Sequence, residues 1–295
     1  MDWLISFPQL KNAWLRDLQR VIDEWFRGFT RSYGDIIEGF FSPLQTLMIW
    51  FERLLLGMPW PIILLIFAGL AWGASRKISV VIGAVATLVL IGLFGMWNDT
   101  MKTISMVLTA TFLSIAIGLP VGILMARSER VQKVISPILD IMQTMPSFVY
   151  LIPVVMLLGI GRVPGLIAVV IYALPPMIRL TNLGIRQVDP EVLEATDAFG
   201  SSSWQKLTKA QLPLALPTIM AGINQTIMMA LAMVVIASMI GVQGLGQPVL
   251  RAINNQYFTM GLLNGFAIVG IAILFDRISQ AWGKRLQKHH GARHD

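Results

Sequence analysis

The side chains whose types and spacing point to chemistry cluster in one polar interval, Thr181 to Pro213, inside an otherwise apolar chain. Asp189 is suited to cap a helix, Pro190 to occupy its first turn, and Gly200 to end it in the left-handed conformation. Ser202 pairs with Gln205 as a capping box and opens a second short helix, expected to stop before Pro213. Such helices would display Val192, Leu193, Phe199, Trp204 and Leu207 to water, and apolar side chains shown in this way suit a partner's groove. Glu194 adds a carboxylate that could meet a cation or a helix N-terminus there. The chemistry on offer is recognition.

Catalytic chemistry is thin elsewhere. No Gly-x-x-x-x-Gly-Lys-Ser/Thr run occurs, so the chain has no phosphate-cradling loop of its own. No His/Asp/Glu cluster has catalytic spacing. The three histidines, His289, His290 and His294, stand in a polar tail where a metal site lacks a held geometry, so no metal is expected. Glycine-rich stretches at 159–165 and 244–246 read as turns rather than nucleotide loops. Arg179, Asp276 and Arg277 fall near the ends of apolar runs, where snorkelling accounts for them, and Asp140 is expected to cap or pair locally. A proton- or sodium-coupled carrier needs carboxylates at mid-depth, which this pattern lacks.

What must position these groups follows from composition. Of 295 residues 55% are apolar, 13% are charged and none is cysteine; mean hydropathy is +0.68. A soluble domain carries about 25% charged residues, so disordered, disulfide-stapled and ordinary soluble classes are excluded. The net charge of +7 fits loops facing anionic lipid better than nucleic acid, and no nucleic-acid partner is expected. A spanning helix needs about 20 apolar residues. Seven segments qualify: 54–74, with Pro59 and Pro61 at its entry, 79–97, 101–126, 144–160 after a lead-in containing Pro137, 163–180, 216–240 and 261–282. Lys and Arg crowd the loops after odd-numbered spans (Arg76, Lys77; Arg127, Arg130, Lys133; Arg186, Lys206, Lys209) and the tail 283–295, against Lys102, Arg162 and Arg251 on the other side. The amino terminus is therefore outside and the carboxyl terminus inside.

Residues 1–53 form a separate amphipathic extension. Leu10, Trp14, Leu18, Val21, Ile22, Trp25, Phe26 and Phe29 recur at helical spacing against a charged face beginning at Lys11. A second stretch, 36–51, is expected to break at Ser42-Pro43. The extension either lies at the headgroup boundary or packs on the outer face of the spans; no cleavable signal peptide is visible.

The polar interval also carries a resemblance. Glu194-Ala195-Thr196, Gly200, Ala210 and Leu212-Pro213 in register resemble the EAA motif of binding-protein-dependent ABC importers. The family has a second alanine where Thr196 stands and usually isoleucine where Ala210 stands, and both changes keep small or apolar character. The stretch from Pro137 to Tyr150 and the run Gly241-Val-Gln-Gly244-Leu-Gly246 are similar to parts of these permeases, so the likeness covers about residues 98–282. It is closest to the permease subunits for choline, glycine betaine and proline betaine. The resemblance implies an all-α type I importer permease in the bacterial inner membrane, with peripheral helices over 54–97 and a core domain over 98–282. It implies a second copy of the chain, two cytoplasmic ATPases that hold ATP and Mg, an extracytoplasmic solute-binding protein and surrounding lipid as partners, with no cofactor on this chain. The loop 181–213 would be the coupling helix, with Glu194, Ala195, Thr196, Phe199, Gly200, Trp204, Leu207, Leu212 and Pro213 as its contact residues.

A quaternary ammonium passes along aromatic and weakly polar walls. Candidates are Gln143, Phe148, Tyr150, Tyr172, Asn224, Gln225, Met228, Met229 and Met233; which faces point inward is open. The rival reading is an ion-coupled secondary carrier working alone, which would show inverted repeats and buried carboxylates.

Overall fold

The computed structural model describes the backbone of residues 12–291 and their side chains except at 35, 38 and 286–291. Leu10, Lys11, the three histidine side chains and the far end of the tail lie outside the described residues. Those residues form helices and turns only: α1 (Asn12–Gly57), α2 (Trp60–Ser75), α3 (Ile78–Leu93), α4 (Trp97–Arg127), α5 (Glu129–Thr144), a 3₁₀ turn (Ser147–Tyr150), α6 (Leu151–Leu158), α7 (Arg162–Arg186), α8 (Pro190–Ala198), α9 (Ser203–Lys206), a π turn (Leu207–Gln211), α10 (Leu212–Ala237), α11 (Gly246–Asn255) and α12 (Phe258–Gly291).

Among the described residues four helical runs are long and apolar enough to cross a membrane: α4, α7, the run Ser203–Ile240 that contains α10, and α12. They match the third, fifth, sixth and seventh expected spans. The other three depart from expectation, each at a residue that cannot continue a helix. The first breaks at Met58-Pro59, where the chain turns 108° into α2, because Pro59 and Pro61 donate no backbone hydrogen bond. The second ends at Leu93, and Gly95 (φ +74°) turns the chain so that Trp97 begins α4. The fourth is two helices: Met145 is extended ahead of Pro146, and α5 meets the segment 147–158 at 112°.

Two expected breaks are absent. Helix α1 continues through Pro43. The missing proline N–H orphans the Gly39 carbonyl, and the Ser42 hydroxyl donates to it at 2.9 Å. The helix begun at Ser203 does not stop before Pro213 but runs through the π turn into α10. A widened turn moves the hydrogen-bond register just ahead of the proline. The tail likewise continues α12 as helix to Gly291.

Helix α7 is the centre of the molecule, packed between α4 and α10. Glycines set those crossings. A Cβ on Gly122 would stand 2.6 Å from Thr181 Cβ, and one on Gly184 would stand 2.9 Å from Thr218 Cβ. Without tail-to-tail hydrophobic drive in lipid, such close backbone approach is what holds spans together. Of the small-residue pairs visible in the sequence, Gly118/Gly122 makes such a crossing, Gly261 abuts Ala252 of α11, and a Cβ on Gly69, Gly73 or Gly265 would meet nothing within 4 Å.

The amphipathic extension divides. Its last turns dock on the bundle: Met48 is buried, Leu44 and Leu55 pack on the core, and Ser105 Oγ of α4 donates to the Met48 carbonyl at 3.2 Å. Its earlier turns leave Trp14, Leu18, Val21, Ile22, Trp25 and Phe29 exposed. An ionic link fixes the docked end. Arg162, opening α7, donates to Glu52 at 2.7 Å and also to Gln243 in the turn before α11. Glu52→Gln should therefore destabilise the permease by about 1 kcal/mol, lowering the melting temperature in detergent by roughly 2–4 °C. An unchanged melting curve would show that the link holds nothing.

Candidate coupling and translocation sites

The polar interval folds as a capped hairpin of two short helices. Asp189 Oδ1 accepts from the Glu191 N–H at 2.9 Å, and Pro190 occupies the first turn of α8. At the other end Gly200 is left-handed (φ +71°). Its N–H donates to Asp197 O at 2.9 Å and the Ser201 N–H to Thr196 O at 3.0 Å, the paired bonds of a Schellman cap. Ser202 and Gln205 form the reciprocal capping box, at 2.9 and 3.3 Å. Lys206 donates to Asp197 across the turn and ties α9 to α8. These caps and the ion pair tie the hairpin's apex together, so a short segment with no buried residue on α8 still holds one shape.

That shape sorts the expected contact residues. Phe199 is 90% exposed and Trp204 67% exposed, and they flank the Gly200 turn. Glu194 and Ala195 are exposed on α8, and Thr196 is half-buried with its hydroxyl donating to Leu193 O at 2.7 Å. Leu207 corrects the expectation that it is displayed. It is 2% exposed, packed with Met177, Ile185, Ala215 and Ile219. Leu212 and Ala210 belong to that inner side too, and Pro213 is half-buried. The hairpin is therefore a rigid arm: its tip is apolar and open, and its root is clamped between α7 and α10.

The pathway candidates separate more sharply. Tyr150 is buried, donates to the Met142 carbonyl and stands edge-on to Tyr172 with centroids 5.8 Å apart. Met233 is buried in the core and Met229 packs against it. Asn224 donates to Asp276 at 2.9 Å and accepts from Ser279, joining α10 to α12. These five side chains are engaged in contacts within the chain. Gln225 and Met228 instead lie with Leu214, Ala221 and Ala232 on one exposed stripe of α10. Gln143 and Phe148 are also exposed, on either side of the Pro146 break, and the turn carrying Phe148 packs against α7 and α10. Asp140 pairs with Arg179, spanning α5 and α7 instead of closing locally.

The outer turn after α10 was legible only as a turn. Gly244 sits at φ +135° and leaves room for Thr103 Oγ1 of α4, which accepts from the Leu245 N–H at 2.9 Å. Helix α11 beyond it was not expected at all, since its ten residues are too few and too polar to read as a span.

Residues 118–288 match the model of the family described as binding-protein-dependent transport system inner membrane component. The chain belongs to this family. The permease is 51% identical over 96% of its length to the glycine betaine/proline betaine transport system permease protein ProW of Escherichia coli, covering 82% of it. It is 48% identical to the glycine betaine/carnitine transport permease protein GbuB of Listeria monocytogenes (88% of this chain, 91% of the relative) and 43% identical to the glycine betaine transport system permease protein OpuAB of Bacillus subtilis (89% and 93%). Inward-facing structures of the MetNI methionine ABC transporter share its fold, with TM-score 0.58, 21% identity, 63% of this chain and 93% of that chain covered. The permease is thus a multi-pass inner-membrane transport component of a binding-protein-dependent system.

Proposed function

We propose that this permease is the translocation subunit of an ATP-driven importer for betaine-type solutes, small molecules carrying a quaternary ammonium and a carboxylate. The observation that carries the solute class is that relatives spanning nearly the whole chain are named for glycine betaine, proline betaine or carnitine. None of these three names includes choline, which lacks the carboxylate, so the betaines are preferred. ATP and Mg reside on separate ATPase subunits, and the solute is delivered by a separate binding protein. The hairpin at 190–206 seats Phe199 and Trp204 in the ATPase and passes its movement through the clamped root at Leu207 into α7 and α10. A second copy of the chain faces the exposed stripe of α10, and Gln143, Phe148, Gln225 and Met228 border the path between the copies. The chain itself binds no cofactor.

The test is uptake of labelled glycine betaine by vesicles holding the permease with its ATPase and binding protein. Uptake should need ATP inside the vesicles or on the ATPase face, and excess unlabelled proline betaine should compete where choline does not. Uptake by the permease alone, driven by a proton or sodium gradient without ATP, would establish the secondary carrier in its place.

A further inference from the structure

A cleft on the cytoplasmic side, away from the coupling hairpin and the α10 stripe, opens between the turn joining α2 to α3 and the end of α12. Its cavity is about 380 Å³, and five of its lining side chains are cationic: Arg76 and Lys77 from the turn, and Arg277, Lys284 and Arg285 from α12. Among the described residues no carboxylate lines it. The acid next in sequence, Asp276, is already held by Asn224 and Gln280 at 2.9 and 2.7 Å. Among the described residues Arg76, Lys77, Arg277 and Lys284 form no ion pair, and Arg285 reaches the Gly73 carbonyl.

The turn that carries two of these cations is set by a helix cap, the Arg76 N–H donating to Trp72 O at 2.9 Å. Arg76 closes α2 in the left-handed conformation (φ 53°), one of two non-glycine residues with positive φ among those described. That conformation is disfavoured for a side chain of this kind and is retained where the surroundings impose it. Like charges gathered without an acid repel one another, and a bound anion relieves that repulsion.

The shape of the cavity selects the anion. The cleft shares Lys77, Val80 and Arg277 with a second cavity of about 390 Å³ that runs on between α3 and α12. Gly83, Ala84 and Thr87 form one wall of this groove, and Ile273 and Leu274 the other. A polyanionic head joined to an apolar chain fits both parts, whereas a free phosphate would leave the groove unfilled. By the charge bias of the loops the basic mouth lies at the cytoplasmic leaflet, where anionic lipids reside.

We infer that this cleft binds an anionic glycerophospholipid, its phosphate held by Arg76, Lys77, Arg277 and Lys284 and one acyl chain laid between α3 and α12. The lipid ties the peripheral α2–α3 pair to the end of α12.

The experiment uses the full-length permease extracted from vesicles of mixed phosphatidylglycerol and phosphatidylcholine, with retained lipid counted by native mass spectrometry. Phosphatidylglycerol should be retained at least about tenfold over phosphatidylcholine, and millimolar inorganic phosphate or glycerol phosphate should not displace it. Joint replacement R76Q/K77Q/R277Q/K284Q should erase the preference. Gly83→Phe, which enters space where a Cβ meets nothing within 4 Å, should cut retention while leaving all four cations in place. Melting curves close to the parent's certify that both variants are folded. Equal retention of the two lipids, or displacement by free phosphate with Gly83→Phe behaving as the parent, overturns the lipid site.

Discussion

Gly200→Pro should reduce ATP-driven betaine uptake by at least about tenfold, a loss of roughly 1.4 kcal/mol or more in coupling, while the permease still inserts and melts normally. Proline fixes φ near −65° and removes the N–H. Gly200 needs φ +71° and donates that N–H to Asp197. Both bonds of the cap fail together, and α8 no longer approaches α9 at the angle that sets Phe199 and Trp204 on either side of the turn. The effect stays local because α8 buries none of its residues and a Cβ at position 200 meets nothing within 4 Å.

Gly200→Ala should give a smaller defect, since an alanine in the left-handed region costs about 1 kcal/mol and keeps the N–H. The double change Phe199→Ser with Trp204→Ser is the complementary test, because it keeps the turn and removes only the apolar tips. It should lose copurification with the ATPase. Normal uptake by Gly200→Pro in vesicles with all partners would mean that the hairpin does not transmit the ATPase's motion.

Much of this hairpin was legible because capping is written in a few adjacent residues. Asp189 with Pro190, Gly200, and Ser202 with Gln205 each take the conformation their types favour. The long spans were legible for a similar reason, since a predominantly apolar run within 97–127 or 162–186 has no cheaper arrangement in lipid than a helix. Proline was harder to read. Pro146 breaks its span, whereas α1 runs on through Pro43, where the Ser42 hydroxyl takes the orphaned carbonyl, and α4 and α7 run on through Pro120, Pro175 and Pro176. Orientation about a helix axis was not legible where every face is apolar. Leu207 and Trp204 stand three residues apart in one short segment, yet one is clamped in the bundle and the other open. The link from Glu52 to Arg162 joins residues 110 positions apart, and local pattern holds no trace of such a pairing.

The same limit governs the small-residue pairs, and there it yields the largest expected effect on folding. Gly69/Gly73 and Gly118/Gly122 are indistinguishable as spacing, but only the second pair lies in a crossing. A Cβ on Gly122 would stand 2.6 Å from Thr181 Cβ and 2.8 Å from the Ile178 carbonyl, and one on Gly118 would stand 2.7 Å from Met177 Cγ. Because a backbone atom lies in the way, a side-chain shift cannot relieve Gly122→Val. Helices α4 and α7 must part, which unseats the cluster of Met125, Leu139 and Ile178 and loosens the layer around Met177 and Ile185. Overpacking of this kind costs about 1–3 kcal/mol when side chains can adjust, and here the adjustment requires moving a whole span. Gly122→Val should therefore leave little monodisperse protein after extraction, with any residue melting well below the parent. Gly69→Ala, placed where a Cβ meets nothing within 4 Å, should melt at or slightly above the parent, since alanine is the better helix former by about 1 kcal/mol. If Gly122→Val extracts and melts as the parent does, α4 and α7 do not approach at this glycine, and α4 does not brace the helix that forms one side of the hairpin's clamp.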